Sequence, residues 1–321
     1  MSEASDSPTS ILITGASGFI GRHVLHRLLD RGFVQVHATS RSDTSRPDLP
    51  TAESLTWHRV DLADAAAVEQ LVERVRPEIV LHLASHVAGS RDVTLVQPTF
   101  SGNAASTVHL LTALQEQRAR AKAEPSSPSG GVRRFVQVGS LEEPEPGDGA
   151  PPSSPYAAAK AAATAYGRMF HHLYGFPIAF ARVFMVYGPG TQDENKLVPY
   201  TFRRLLEDDT PAFGSGTRPV DWIFVEDVAE GLVRMGFADE SIDGERIDLG
   251  SGDLHTVREV IEGMFQIAAP DRAPSFGGRA DRQDEQVRSA DVAATERCLG
   301  WRPGVGLTDG LRRTADWFRK N

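Results

Sequence analysis

The chain has 321 residues, with 34 basic and 43 acidic side chains giving a formal charge of −9, and 40% hydrophobic and 24% charged residues. This is the composition of a folded globular protein of about two domains, or of one large α/β domain with an appended lobe, and it excludes wholesale disorder. The acidic balance without a block of Lys or Arg argues against a nucleic-acid binder, and no apolar run approaches the roughly 20 residues a membrane helix needs. The single cysteine, Cys298, can form neither an internal disulfide nor a thiolate metal cluster, so no metal site is expected. The opening segment MSEASDSPTS has no cationic stretch before an apolar one, so residues 1–9 are expected to be a disordered N-terminal extension of a cytoplasmic protein.

From residue 11 short apolar runs alternate with longer stretches of helical period. Strands are predicted over Ile11–Thr14, Val34–Thr39, Leu55–Val60, Ile79–Ala84, Phe135–Val138 and Ile178–Val183. Helices are predicted over Gly18–Arg31, with Ile20, Val24, Leu28 and Leu29 inward, and over Ala65–Val75, stopped by Pro77. Further helices are predicted over Phe100–Ala121 and Tyr156–Tyr174. Repeated strand–helix alternation implies a doubly wound parallel sheet with right-handed crossovers. After about residue 190 the alternation loosens into a smaller lobe. Two segments of low complexity flank the fifth strand. Glu124–Gly131 reads as a solvated surface insertion, and the Pro-rich Glu142–Pro155 as a loop or a lid beside a site.

The first strand runs into Thr14-Gly15-Ala16-Ser17-Gly18-Phe19-Ile20-Gly21 at the start of a helix. Glycines at 15, 18 and 21 permit a tight turn, bring backbone N–H groups of Ser17 to Ile20 near a pyrophosphate, and let helix and strand pack closely. The second strand ends at Ser40-Arg41 with no acid at its tip. An acid there would accept from the adenosine ribose 2′-hydroxyl, whereas Arg pairs with a 2′-phosphate, so NADP is expected in preference to NAD. Asp43 lies close enough to be an alternative partner for Arg41.

Tyr156-Ala-Ala-Ala-Lys160 places a phenol and an ammonium on one helix face. The chain has only four lysines (Lys122, Lys160, Lys196 and Lys320) against thirty arginines, so a chance Tyr-x-x-x-Lys among five tyrosines is expected about 6% of the time. A nearby ammonium, together with the positive charge of an oxidised nicotinamide, favours phenolate, and a fall of about three pKa units would ask for about 4 kcal/mol.

TGASGFIG, followed by YAAAK in order, resembles the extended short-chain dehydrogenase/reductase superfamily, whose members mostly modify nucleotide-activated sugars. The resemblance implies cofactor contacts from Asp61-Leu62 after the third strand and from Leu83-Ala84-Ser85 after the fourth, with Asn103 bracing the site. It implies a catalytic Ser140, Tyr156 and Lys160, with Ser140 bonding the reacting oxygen and Lys160 also holding the nicotinamide ribose. Glu142 stands where family dehydratases carry an acid. The run Gly-Ser-Leu-Glu-Glu looks more like the family's 4-keto reductases.

On the substrate side Arg182-Val-Phe-Met185-Val-Tyr-Gly-Pro resembles a family segment in which Asn usually stands at the place of Met185. Val220 replaces the family's diphosphate-gripping Arg, for which Arg218, Arg279 or Arg282 could substitute. Leu299-Gly-Trp-Arg-Pro303 matches the family's closing motif. The expected architecture is a Rossmann-type NAD(P)-binding domain over residues 10–190 and a mainly substrate-binding lobe over 191–321, some of whose strands return to the main sheet. The expected activity is a nucleotide-sugar 4-keto-6-deoxyhexose reductase. The alternatives are a 4-epimerase with retained NAD, then a dehydratase, and, outside enzymes, a non-catalytic dinucleotide-binding protein. A homodimer through the helices at 100–121 and 156–174 is implied by the same resemblance.

Overall fold

In the computed structural model the described residues are 8–32, 34–42, 49–123, 131–145, 147, 149–280 and 286–321. The expected positions Asp43 and Arg282, and all but the end of the first low-complexity segment, lie outside them. The chain divides into two compact units: Met1–Arg182 with Leu232–Ile247, and Val183–Gly231 with Asp248–Asn321. The division falls at residue 182, ahead of the expected 190, and the segment 232–247 returns to the first unit.

A seven-stranded sheet has the order β3-β2-β1-β4-β5-β6-β9. Its strands are β1 (Thr9–Thr14), β2 (Val34–Ser40), β3 (Leu55–Arg59), β4 (Ile79–His82), β5 (Arg134–Ser140), β6 (Ile178–Val183) and β9 (Arg246–Leu249). Parallel pairing is set by registers such as Ile11↔Val36, Ile11↔Ile79 and Val80↔Phe135. The strand order runs outward in opposite directions from β1 and β4, so the ends of these two strands flank a crevice of the kind that binds dinucleotides. Ile11, Leu12 and Ile13 are fully buried, as a strand covered on both faces requires. Because β1 begins at Thr9, the expected N-terminal extension is shorter than nine residues.

Helix α1 (Phe19–Leu29) buries Gly21, Val24, Leu25 and Leu28; Leu25, rather than Ile20 or Leu29, completes the inner stripe. Helix α2 (Ala65–Val75) starts on Asp64, whose carboxylate accepts from the amides of Ala66 and Ala67, and ends on Arg76 in the left-handed region. The helix expected over 100–121 is longer and less regular. After a 3₁₀ turn at Val93–Leu95 come α3 (Val96–Thr99), a π-helical segment (Phe100–Ala105) and α4 (Ser106–Ala123). The wider π turn carries Asn103 inward to full burial, a placement that 3.6-residue periodicity does not foresee. Helix α5 (Pro155–Tyr174) is capped by Ser154, whose hydroxyl accepts from the Ala157 amide, with Pro at its first position and Gly175 in the left-handed conformation at its end.

Strand β5 is longer than its expected apolar run because it begins on a charge. Arg134 is 1% exposed, pairs with Asp243 and donates to the Asp239 carbonyl at 2.5 Å. This pairing ties the returning segment to the root of β5. The core of this unit gathers Leu12, Val68, Leu71, Val80, Leu110, Leu114, Phe135, Phe176 and Phe180.

The second unit holds a three-stranded sheet, β10 (Leu254–Thr256), β8 (Pro219–Phe224) and β7 (Met185–Tyr187), and its own core around Tyr187, Phe202, Trp222, Phe224, Met264 and Leu311. Asp221 is buried and accepts from the amides of Ser251, Gly252 and Ala290 at 2.6–2.9 Å, which fixes the turn before β10. No helix among the described residues is long and apolar enough to cross a membrane.

Asp243→Ala would leave the Arg134 guanidinium buried without its carboxylate, and should destabilise the protein by about 3 kcal/mol in chemical denaturation. Substitution of the exposed Asp253 should shift the curve little.

Candidate active site

The turn after β1 closes as the sequence requires. Gly15 has φ +68°, and a Cβ on it would stand 2.7 Å from the Ala84 amide nitrogen. A Cβ on Gly21 would collide with the Gly15 carbonyl. Gly18 is the N-cap of α1 and provides no side-chain cap, so first-turn N–H groups from Phe19 and Ile20 onward are left for an outside acceptor. An anion on that helix end would gain both hydrogen bonds and the dipole. This backbone cradle fits the pyrophosphate of a dinucleotide. Ser17 Oγ donates to Ser40 Oγ at 3.3 Å, joining the turn to the tip of β2. Ser40 is buried and Arg41 beside it is exposed. Asp61 is exposed and binds the Ala63 amide, whereas the Leu62 side chain belongs to the core.

A directed hydrogen-bond chain crosses the crevice. The Ala84 amide donates to Thr14 Oγ1 (3.2 Å), which lies 2.7 Å from His82 Nδ1. His82 Nε2 lies 3.0 Å from Thr107 Oγ1, and Thr107 donates to the Asn103 carbonyl at 2.7 Å. Because Thr107 spends its proton on Asn103, His82 must donate from Nε2 and accept from Thr14 at Nδ1. Burial, with Lys160 adding, pulls the His82 pKa down to about 3, so the ring is neutral and keeps this tautomer. The Asn103 side chain then accepts from Ser85 Oγ (2.6 Å) and the His86 amide (3.2 Å), and donates to the His86 carbonyl (3.1 Å). It holds the segment from Ser85 to His86 in place after β4.

At the end of β5 and on α5 the structure brings together Ser140, Tyr156 and Lys160, and Ser85 joins them. Tyr156 shares hydrogen bonds with Ser140 and Ser85. Lys160 Nζ lies 5.9 Å from the Tyr156 ring centre and donates to the Val138 carbonyl at 2.7 Å. Burial lowers the Lys160 pKa to about 8, with Glu143 opposing. The surroundings that the chain itself gives the phenol oppose its ionisation. Burial, then the charge of Glu142, then that of Glu143 push Tyr156 upward, and the bonds with Ser140 and Ser85 only partly oppose this. Burial first, and the two carboxylates after it, therefore favour the protonated phenol. The Glu142 amide donates to Ser140 Oγ at 3.2 Å.

The expected substrate residues are dispersed. Arg182 pairs with Glu145 of the Pro-rich loop, whose other oxygen meets Arg246 at 2.9 Å. Met185, Arg218 and Arg279 belong to the second unit. There Arg279 donates to Tyr200 Oη at 3.1 Å, and Arg218 is half-buried ahead of β8. Sequence reasoning missed Glu143, Glu145, His82 and Thr164. Only Thr164 had a local signal, since it continues the four-residue spacing of Tyr156 and Lys160.

The fold and this constellation define a dinucleotide-dependent enzyme class, and comparison identifies it. Residues 11–250 match the model of the NAD dependent epimerase/dehydratase family, and the chain belongs to that family. A UDP-glucose 4-epimerase of Mycolicibacterium smegmatis is 30% identical, covering 96% of this chain and 98% of that protein. A dTDP-glucose 4,6-dehydratase of an Actinoplanes species is 29% identical over 97% of this chain and 98% of its own. The crystal structure of Thermus thermophilus UDP-glucose 4-epimerase in complex with NAD superposes with a TM-score of 0.77, at 29% identity, covering 96% and 98% of the two chains. The resemblance read from TGASGFIG and YAAAK, and the Rossmann-type fold it implied, hold.

Because its folded pKa is depressed, Lys160 loses its ammonium as pH rises through about 8. Affinity for a nicotinamide cofactor, followed by fluorescence titration, should weaken across that range, and Lys160→Met should bind weakly and without that pH dependence.

Proposed function

We propose that the protein is an NADPH-dependent reductase of a nucleotide-linked 4-keto-6-deoxyhexose, acting through Ser140, Tyr156 and Lys160. The observation that carries this reading is the Gly139-Ser140-Leu141-Glu142-Glu143 run at the end of β5, whose two acids, together with burial, favour the protonated form of Tyr156 as a proton donor. A keto reductase needs a proton donor at the start of each turnover, whereas an enzyme that first oxidises a sugar hydroxyl needs a phenolate base. The reduced nicotinamide, when bound, supplies the hydride. Tyr156 gives its proton to the former carbonyl oxygen, so the ketone becomes an alcohol, and water restores the phenol. Ser140 Oγ accepts the Glu142 amide and shares a hydrogen bond with Tyr156, which places its hydroxyl beside the phenol that protonates that oxygen. Lys160, held by the Val138 carbonyl, directs its remaining N–H groups toward the phenol and the ribose.

The cradle at Gly15, Ser17, Gly18, Phe19, Ile20 and Gly21 holds the pyrophosphate, with Asp61, Leu62, Leu83 and Ala84 lining the cofactor. Ser40 and Arg41 at the β2 tip, where no carboxylate stands from Ala38 through Ser42, favour a ribose 2′-phosphate. The names of the relatives support a nucleotide-sugar substrate, for whose diphosphate Arg218 and Arg279 supply charge. Exposed Phe100, Tyr166 and Leu173 on the π segment and α5 support a homodimer.

The second reading is a 4-epimerase with retained NAD, favoured by the 30% identical UDP-glucose 4-epimerase. The Glu142 position leaves a dehydratase third. A reductase releases its oxidised cofactor at every turnover, so the purified protein should carry none and should consume NADPH in equal amount to a nucleotide-linked 4-keto-6-deoxyhexose. Tightly bound NAD, with interconversion of UDP-glucose and its C4 epimer, would replace this reading with the second. Tyr156→Phe should lower kcat roughly a thousandfold while leaving cofactor affinity nearly unchanged.

Arg41→Ala should weaken NADPH binding about tenfold and leave NADH binding unchanged, as measured by fluorescence titration. Equal losses for both cofactors would refute the 2′-phosphate contact.

A further inference from the structure

We propose that Glu143 is a positioning residue that locks the Ser140 end of β5 to the Tyr156–Lys160 face of α5. One carboxylate oxygen accepts the Ser140 amide at 2.8 Å, and the other accepts the Thr164 hydroxyl at 2.6 Å. Thr164 follows Lys160 as Lys160 follows Tyr156, so all three stand on one helix face. Gln137 of β5 donates to Thr164 Oγ1 at 3.3 Å, a second tie between the same strand and helix. The chain makes room for this carboxylate, because a Cβ on Gly139 would occupy the place of its Oε1.

The charged groups facing Tyr156 are Glu142 and Glu143 from the loop after β5 and Lys160 from its own helix; His82 of β4, beside Lys160, is neutral. A carboxylate held by both Ser140 and Thr164 cannot swing away. Its negative charge thus bears on Tyr156 and Lys160 from a fixed direction, favouring both phenol and ammonium. Position and charge are inseparable at Glu143, whose two oxygens meet one group on β5 and one on α5.

The inference rests on Ser140, Tyr156 and Lys160 being the reacting site, and not on which reaction they perform. The test compares wild type, Glu143→Gln and Thr164→Val in two measurements. The first is turnover of whichever nucleotide sugar the wild type accepts. The second is ionisation of Tyr156 with oxidised cofactor bound, read as tyrosinate absorbance after subtraction of the same curve for Tyr156→Phe. Glu143→Gln keeps the shape and removes the charge. It should lower kcat about tenfold with KM within about twofold, and move Tyr156 ionisation to lower pH. Thr164→Val keeps the charge but frees one oxygen, and should lower kcat with a smaller move of the ionisation curve. Superimposable ionisation curves for Glu143→Gln and wild type would overturn the proposal, with or without a loss of turnover, since a merely structural carboxylate would affect turnover alone. A wild type inactive on every nucleotide sugar would defeat the proposed function and leave the ionisation comparison to decide this one.

Discussion

The neutral His82 ring is the joint on which the cofactor half depends. It links the end of β1, through Thr14, to the π segment, through Thr107 and the Asn103 carbonyl. Each group in that chain has one direction in which it can donate, so the backbone of the phosphate turn and the side chain that braces Ser85 are set together. A protonated imidazole could not accept from Thr14. Deep burial beside Lys160 is what prevents that protonation, so the same lysine that faces the phenol also keeps the joint intact.

Charge is arranged in this unit by depth. Arg134 is fully buried at the root of β5, its terminal nitrogens held by Asp243 and backbone carbonyls and its Nε left without a partner among the described residues, whereas the opposite end of the strand presents Ser140 among carboxylates and a lysine. The strand is thereby fixed at both ends by hydrogen bonds to other elements. The loop beyond it is fixed too, since Glu145 is held between Arg182 and Arg246. A Pro-rich stretch that reads as a possible lid in the sequence is anchored at its start by two acids three and five residues past Ser140.

The parts of the site that were legible in the sequence are those written in local spacing. Three glycines at a strand–helix junction specify the turn, and the interval from Tyr156 to Lys160 specifies one helix face. The parallel, doubly wound sheet follows from the alternation of strands with helices. What was not legible depends on partners far along the chain. Arg134 looks like a strand boundary until Asp243 arrives from 109 positions away. Asn103 is one polar residue in a helix until a π turn directs it inward. Tyr156 beside Lys160 reads as a future phenolate, and burial together with the charges of Glu142 and Glu143 opposes that in the chain alone.

The missing side chain at Gly139 has a consequence for how this site can change. Any larger residue there would occupy the space of the Glu143 carboxylate and detach it from Ser140 and Thr164. The empty place at 139 and the acid at 143 are therefore two halves of one fitting, since the carboxylate oxygen that accepts the Ser140 amide sits where a side chain at 139 would begin.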